Sequence, residues 1–210
     1  MKYPHPWRRL GALACTAALT LTLIPAASAS GGGYRQSGSL DMDKLSRQEI
    51  AALLADNSLE LPGQLFEEEP SVTAPYRAGR VTDQALQAAV DRLNALRRIA
   101  GVPDVALDSA LSENAQYGAV LLAASDFSHS PAQPADMDGS FYQTASEATG
   151  SSNICAGRSL TGSVDAFMDD SDAGNIDRLG HRRWQLNPDM GRIGFGYAYS
   201  GASRYGAYVA

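Results

Sequence analysis

The sequence predicts an α+β fold class: a small, mainly antiparallel sheet covered by helices in an α-β-α sandwich. Three observations point there. Apolar residues recur at helical three- and four-residue steps from Leu86 to Leu122. A shorter amphipathic segment carrying three carboxylates follows around Ser163–Asp170, and the chain closes on glycine-spaced, aromatic-rich stretches that read as strands. With 210 residues there is room for one ordinary domain and extensions to it.

The first 29 residues read as a secretory signal peptide. Lys2, Arg8 and Arg9 precede an apolar run from Leu10 to Ile24, and Ala27-Ser28-Ala29 supplies small residues for cleavage. That run is shorter than a bilayer span requires, and no later segment is apolar enough to span one. The expected product is a secreted, extracellular protein without a transmembrane segment. Cys15 would leave with the signal, so Cys155 has no partner for an intramolecular disulfide. Removal takes three of the 17 Lys and Arg and none of the 23 Asp and Glu, leaving a formal charge of −9. Such a surface repels phosphate backbones, which argues against nucleic acid as a partner.

Residues 30–80 read as a leader with one short helix. Ser30-Gly-Gly-Gly33 is a flexible start, Ser46 and Glu49 form a capping box, and Ile50, Leu53 and Leu54 make a narrow stripe behind it. Pro62-Gly63, Glu67-Glu-Glu69, Pro70 and Pro75 then interrupt regular structure, so the segment is expected to act as a tether or a strap on the domain, with no chemistry of its own. The domain proper is expected over 81–210. Thr82 or Asp83 caps a helix whose stripe is Leu86, Ala89, Val90, Leu93 and Leu96, and Gly101 ends it. Asp108 opens a second helix whose buried stripe of Leu111, Ala115, Ala119 and Leu122 carries small residues that favour close packing.

From Ser125 to Asn153 the periodicity disappears and a long loop is expected. A third helix from Ser159 or Ser163 to Asp170 should bury Val164, Phe167 and Met168, and a short helix around Ile176–Trp184 should present His181. Arg192–Ser200 and Tyr205–Val209 read as a hairpin turning at 201–203. Gly194 and Gly196 alternate on its first strand, the mark of another element approaching that face closely. Trp184 and Phe195 are expected in the core.

His129 and His181 are the two histidines that survive signal removal, each in a polar stretch at the rim of an expected cleft. Either could equally be a surface or structural histidine. Asp169 and Asp170 point about 100° apart on a helix, so only one can face a histidine. Arg182 and Arg183 could hold an anion, but pairing with nearby acids is the plainer reading. Cys155 with two histidines and several acids could form a thiol-hydrolase site, although an inert buried thiol is the usual outcome in such an apolar run.

The order of these boxes resembles the CAP superfamily of cysteine-rich secretory proteins, antigen 5 and pathogenesis-related proteins. The likeness rests on Phe127-Ser-His129, Ser151-Ser-Asn-Ile154, Phe167 with Asp170, and Gly180-His181 leading to Trp184 and a strand. The His-Arg-Arg-Trp-x-Leu-Asn-Pro wording is similar to the bacterial branch. The resemblance implies a cleft where two His and two Glu face each other, with a divalent metal bound through the histidines. His129, Asp170 and His181 fall on three of those positions, Asp170 as a shortened Glu. Ser152 stands where the other Glu would be, and Glu147 is a distant substitute that reads better as a solvated loop carboxylate. The implied ligand-binding set is therefore His129, Ser152, Asp170 and His181, with His129 and His181 as the ligands of zinc or another divalent cation. Two imidazoles and one carboxylate are a thin set for zinc. The resemblance implies extracellular recognition, with a lipid or sterol-like molecule, a cell-wall component or a protein as the ligand. A metal-dependent or Cys155-dependent hydrolase is the alternative, and catalysis is the weaker reading because no nucleophile stands beside either histidine in a hydrolytic motif.

Overall fold

Thr82, outside the helix, accepts the Ala85 N–H on its hydroxyl at 3.2 Å and so starts helix α2 (Asp83–Ile99). Leu86, Val90 and Leu93 on its inner face are at most 6 % exposed. Burying each of these branched side chains stabilises the fold by roughly 1.5–3 kcal/mol. Gly101, at φ 73°, reverses the chain. Asp108 accepts from the Ala110 and Leu111 N–H groups and opens α3 (Ser109–Ala124). This computed structural model describes residues 45–56, 63–201 and 203–209; residues 1–29, expected to be a signal, Cys15 and the glycine start at 30–33 lie outside the described residues.

Before α2 come α1 (Arg47–Asp56), β1 (Phe66–Glu68) and β2 (Arg80–Val81). The capping box at Ser46 and Glu49 closes in both directions, at 2.7 and 3.2 Å. Between Gly63 and Val81 the chain is a strap fastened to the domain. β1 and β2 pair antiparallel, Phe66 is 2 % exposed in the main core, and the Ala78 carbonyl accepts from Gln116 at 2.9 Å.

The main sheet has the order β3-β5-β6-β4, with β3 at Ala106–Leu107, β4 at Ser152–Ala156, β5 at Arg192–Ser200 and β6 at Ser203–Val209. β5 and β6 form the expected antiparallel hairpin, β4 pairs antiparallel with β6, and β3 pairs parallel with β5. Helices cover both faces. Ile193, Phe195 and Tyr197 of β5 point into a core shared with α2 and with α5 (Leu160–Asp169). Gly194, Gly196 and Ala198 point the other way, at α3. A Cβ on Gly196 would lie 2.1 Å from the Ala115 carbonyl oxygen, and one on Gly194 would lie 2.2 Å from the Leu111 carbonyl carbon. The glycines and the small-residue stripe of α3 are two halves of one close approach.

That approach has a hydrogen-bonding consequence. β3 is only two residues long, so the outer edge of β5 beyond Ile193 lacks a strand partner. α3 supplies the bonds instead. Gln116 accepts the Tyr197 N–H and donates to the Tyr197 carbonyl, both at 2.8 Å, and Ser112 accepts the Phe195 N–H at 3.3 Å. Buried backbone groups must be paired, and here side-chain groups substitute for a strand.

Two expectations fail. The stretch 125–153 is not one loop: Gly139–Gly150 forms α4, capped by Asp138, which accepts from the Ser140 and Phe141 N–H groups. Its Ala145 and Ala148 are buried, and Phe141 meets the Tyr117 ring of α3 at 4.7 Å. Packing against α3 outweighs the poor intrinsic helix propensity of its Ser, Thr and Gly residues. Trp184 is not core either. It is 63 % exposed on α6 (Gly180–Gln185), whereas Phe195 is buried as expected. A six-residue helix offers one inner stripe, and Gln185 and His181 take it.

Candidate functional site

His129 sits in the loop between α3 and α4, which is braced by its own side chains. Asp126 accepts the Ala132 N–H at 2.8 Å, a backbone bond that pulls its carboxyl below the usual carboxylate range, and Ser128 accepts the Ser130 N–H at 2.9 Å. The His129 Nδ1 lies 2.9 Å from the Thr149 carbonyl oxygen at the end of α4. A carbonyl only accepts, so Nδ1 carries the hydrogen and Nε2 of the neutral ring is left as an acceptor.

His181 is held in the same manner from another side. Its Nδ1 lies 2.8 Å from Asp170 Oδ1, and its ring packs on Phe167 with centroids 4.8 Å apart. Asp170 is 1 % exposed and takes a left-handed conformation at the C-cap of α5, with φ 48°. Its second oxygen accepts the Arg182 N–H at 3.2 Å. Asp169 is exposed, so Asp170 is the acid that meets the histidine. Leu179 also lies in the left-handed region, at φ 52°. Such a conformation costs a non-glycine residue of order 1–3 kcal/mol. Two such residues bracket the 171–178 segment that leads into α6.

Both histidines line one cleft of about 650 Å³, bounded by the α4–β4 junction, the 171–178 segment, α6 and the start of β5. Ser152 lines it too, buried, with its hydroxyl donating to the Ala148 carbonyl. Asp170 lies behind His181 and orients it from there. Glu147 is exposed and accepts from Gln143, away from the cleft. The sequence reading did not assign Asn175, Arg178 or Gln185 to the site, and they line its walls together with Asn153, Arg183 and Trp184. Nothing in their local pattern marks them, because the 171–178 segment and α6 deliver them separately.

Arg182 pairs with no acidic side chain among the described residues. Its guanidinium donates to the carbonyls of Met168 and Asp169, at 2.5 and 2.7 Å, and so caps the end of α5. Arg183 lines the cleft and makes no ion pair among the described residues. Cys155 faces α5, half-buried against the main core and outside the cleft lining, and burial pushes its thiol up from the usual range. A thiol held protonated and apart from the imidazoles has neither the charge nor the base that nucleophilic catalysis needs.

As a metal centre, the histidine pair depends on its donor chemistry. Each ring spends Nδ1 on an oxygen acceptor and keeps Nε2, a pattern that metal-binding histidines share. The third donor is the difficulty. Among the described residues the one group of three potential ligands within 4.8 Å of each other is Asp170, Asp172 and His181, and it does not include His129. Its oxygens are already engaged: Asp170 with His181 and Arg182, and Asp172 with Asn175 and the Gly174 N–H. The Asn175 bond, with His181 nearby, holds the Asp172 carboxyl below its usual range. This is a hydrogen-bonded brace for the 171–178 segment. The donors present do not build a closed zinc site on both histidines.

Helices on both faces of a four-stranded sheet, with two imidazoles lining a cleft at one end, define a three-layer α+β domain. The family model described as "CAP: Cysteine-rich secretory protein family" matches residues 90–210, more than half of the chain. The chain belongs to that family. No curated protein and no solved structure matches it.

Proposed function

We propose that this protein is an extracellular recognition module that holds a ligand in the cleft lined by His129, Ser152 and His181, with Asp170 fixing the His181 ring. The single observation that carries the reading is the convergence of two histidines, distant in sequence, on one hollow. Each has its Nδ1 committed, so each offers Nε2 to a guest. A volume of about 650 Å³ lies within the usual range for a small-molecule or fragment-sized ligand. Catalysis is disfavoured because Cys155 lies elsewhere and, among the described residues, no hydroxyl or thiol is hydrogen-bonded to either ring.

Secretion belongs to the same proposal. Residues 1–29 act as the signal, the 30–80 segment precedes the domain, and 81–210 forms the CAP-type domain of an exported, bacterial-branch protein. No helix among the described residues is long and apolar enough to cross a membrane. The partners are a small apolar ligand, a cell-wall component or an extracellular protein.

The test is a thermal-shift panel of a sterol, a fatty acid and solubilised cell-wall fragments, run on the parent and on the His129→Ala/His181→Ala variant. A ligand that raises the melting temperature of the parent and leaves the variant unmoved supports the reading. Equal shifts in both proteins, or none in either, defeat it.

A further inference from the structure

The mouth of the cleft carries groups that the histidine pair does not explain. Trp184 is 63 % exposed and yet lines the hollow, so one indole face stands in solvent at the entrance. Arg178 and Arg183 line the same mouth, and neither makes an ion pair with a described carboxylate. Arg178 is steadied by the Gly174 carbonyl at 2.9 Å, which leaves most of its N–H groups unspent. Two unpaired guanidiniums stand out on a chain whose exported form carries a formal charge of −9, three cations having left with the signal out of 17, against 23 acids. Deeper in, Gln185 is 3 % exposed and its Oε1 has no hydrogen-bond partner among the described residues.

That last atom is the most demanding. A buried amide oxygen without a donor costs about 1–3 kcal/mol, and native structures rarely leave one so. The Gln185 backbone carbonyl accepts from Arg97 at 2.5 Å, a bond to a buried guanidinium that fixes the main chain here but not the side-chain amide. The Oε1 is itself closed to solvent, so a donor in the hollow meets it when the Gln185 side chain turns outward.

We infer that the ligand of this cleft is an acidic saccharide, a sugar unit bearing a carboxylate; the inference rests on the recognition reading above and specifies its ligand. The carboxylate meets Arg178 and Arg183 through charge-assisted hydrogen bonds. The C–H face of the ring lies on Trp184, where apolar area is buried against an aromatic plane. A hydroxyl donates to Gln185 Oε1, and another donates to a histidine Nε2. A fatty acid would satisfy the arginines but supply no donor for Gln185. A peptide carboxyl terminus would supply anion and donor but no rigid face for the indole.

The experiment uses the full chain carrying Trp7→Phe, which leaves Trp184 as the single indole of two. Tetragalacturonate and its methyl ester are titrated while tryptophan fluorescence and the histidine ring resonances are followed together. The acid is expected to change both signals saturably and to bind roughly tenfold or more tightly than the neutral ester. Arg178→Gln/Arg183→Gln should reduce the acid to the affinity of the ester. Trp184→Ala, followed by the histidine resonances alone, should weaken both ligands. Equal binding of acid and ester, or tighter binding of decanoate or of an acetylated peptide with a free carboxyl terminus, overturns the saccharide and leaves the recognition cleft standing. A fluorescence change with every histidine resonance unmoved places the sugar outside the cleft and overturns this inference together with the reading beneath it.

Discussion

Arg97 shows what a single side chain can organise. It is fully buried, and its guanidinium donates to the carbonyls of Pro103, Gln185, Asn187 and Met190. Burial draws its pKa down from the usual guanidinium value, and Asp104 only partly offsets that. One cation without a buried carboxylate thus pins the α2–β3 turn to the 185–190 segment under the cleft. Replacing it by methionine keeps the apolar stem but strands several carbonyls. Arg97→Met is expected to cost about 2–4 kcal/mol in urea unfolding and to blur the cleft, read as line broadening at His181.

Cys155 is the opposite case, a chemically capable group that its surroundings keep quiet. Desolvation raises its thiol, while Ser163 and Arg158 pull the other way less strongly. A raised folded-state value means that the folded chain keeps this proton when the unfolded chain has begun to lose it. The contribution is therefore complete below the ordinary thiol value and falls away as pH rises through the folded one. Modification of the Cys155 peptide, followed by mass spectrometry, should be slow at neutral pH and should accelerate in alkali or denaturant. Fast labelling of the native chain at neutral pH would reopen the thiol-hydrolase alternative.

At the scale of elements, the contact between α3 and β5 controls the fold. Gly194 and Gly196 let the helix backbone approach until Ser112 and Gln116 serve as strand partners for Phe195 and Tyr197. A methyl on Gly196 has nowhere to go, because its closest neighbours are backbone atoms of Ala115. Gly196→Ala is expected to destabilise by about 2–3 kcal/mol or more, since helix and strand must separate and loosen the Gln116 bonds. Equilibrium denaturation would register it as a lower midpoint.

The elements also differ in how legible they were. α2 and α3 could be read because long stripes with Thr82 and Asp108 at their starts speak locally. α4 offered a weaker version of the same signal, Phe141, Ala145 and Ala148 at helical steps behind Asp138, hidden by poor helix formers. β3, with two residues, has no local signature at all. β4 carries the Ser151-Ser-Asn-Ile154 box, but its strand character comes from pairing with β6.

For the molecule as a whole, the strap decides where the folding unit begins. Phe66 enters the core that α2, α5 and β5 share, against the Tyr197 ring at 6.4 Å. Tyr76 donates to Asp136 at 2.9 Å, and Tyr199 donates to Glu69 at 3.0 Å. Phe66→Ala should cost about 3–5 kcal/mol in a single cooperative transition. A negligible loss in denaturant unfolding would mean that the domain is complete without the residues before Val81.

By itself the sequence determined the helix stripes, the caps, the glycine-spaced hairpin and the identity of the two histidines, because these are periodic or local preferences written over a few consecutive residues. Tertiary structure alone decided that Trp184 faces solvent, and that Arg178, Arg183 and Gln185 share a wall with His129. Those facts depend on distances between segments up to about sixty residues apart, which packing sets and no local propensity encodes.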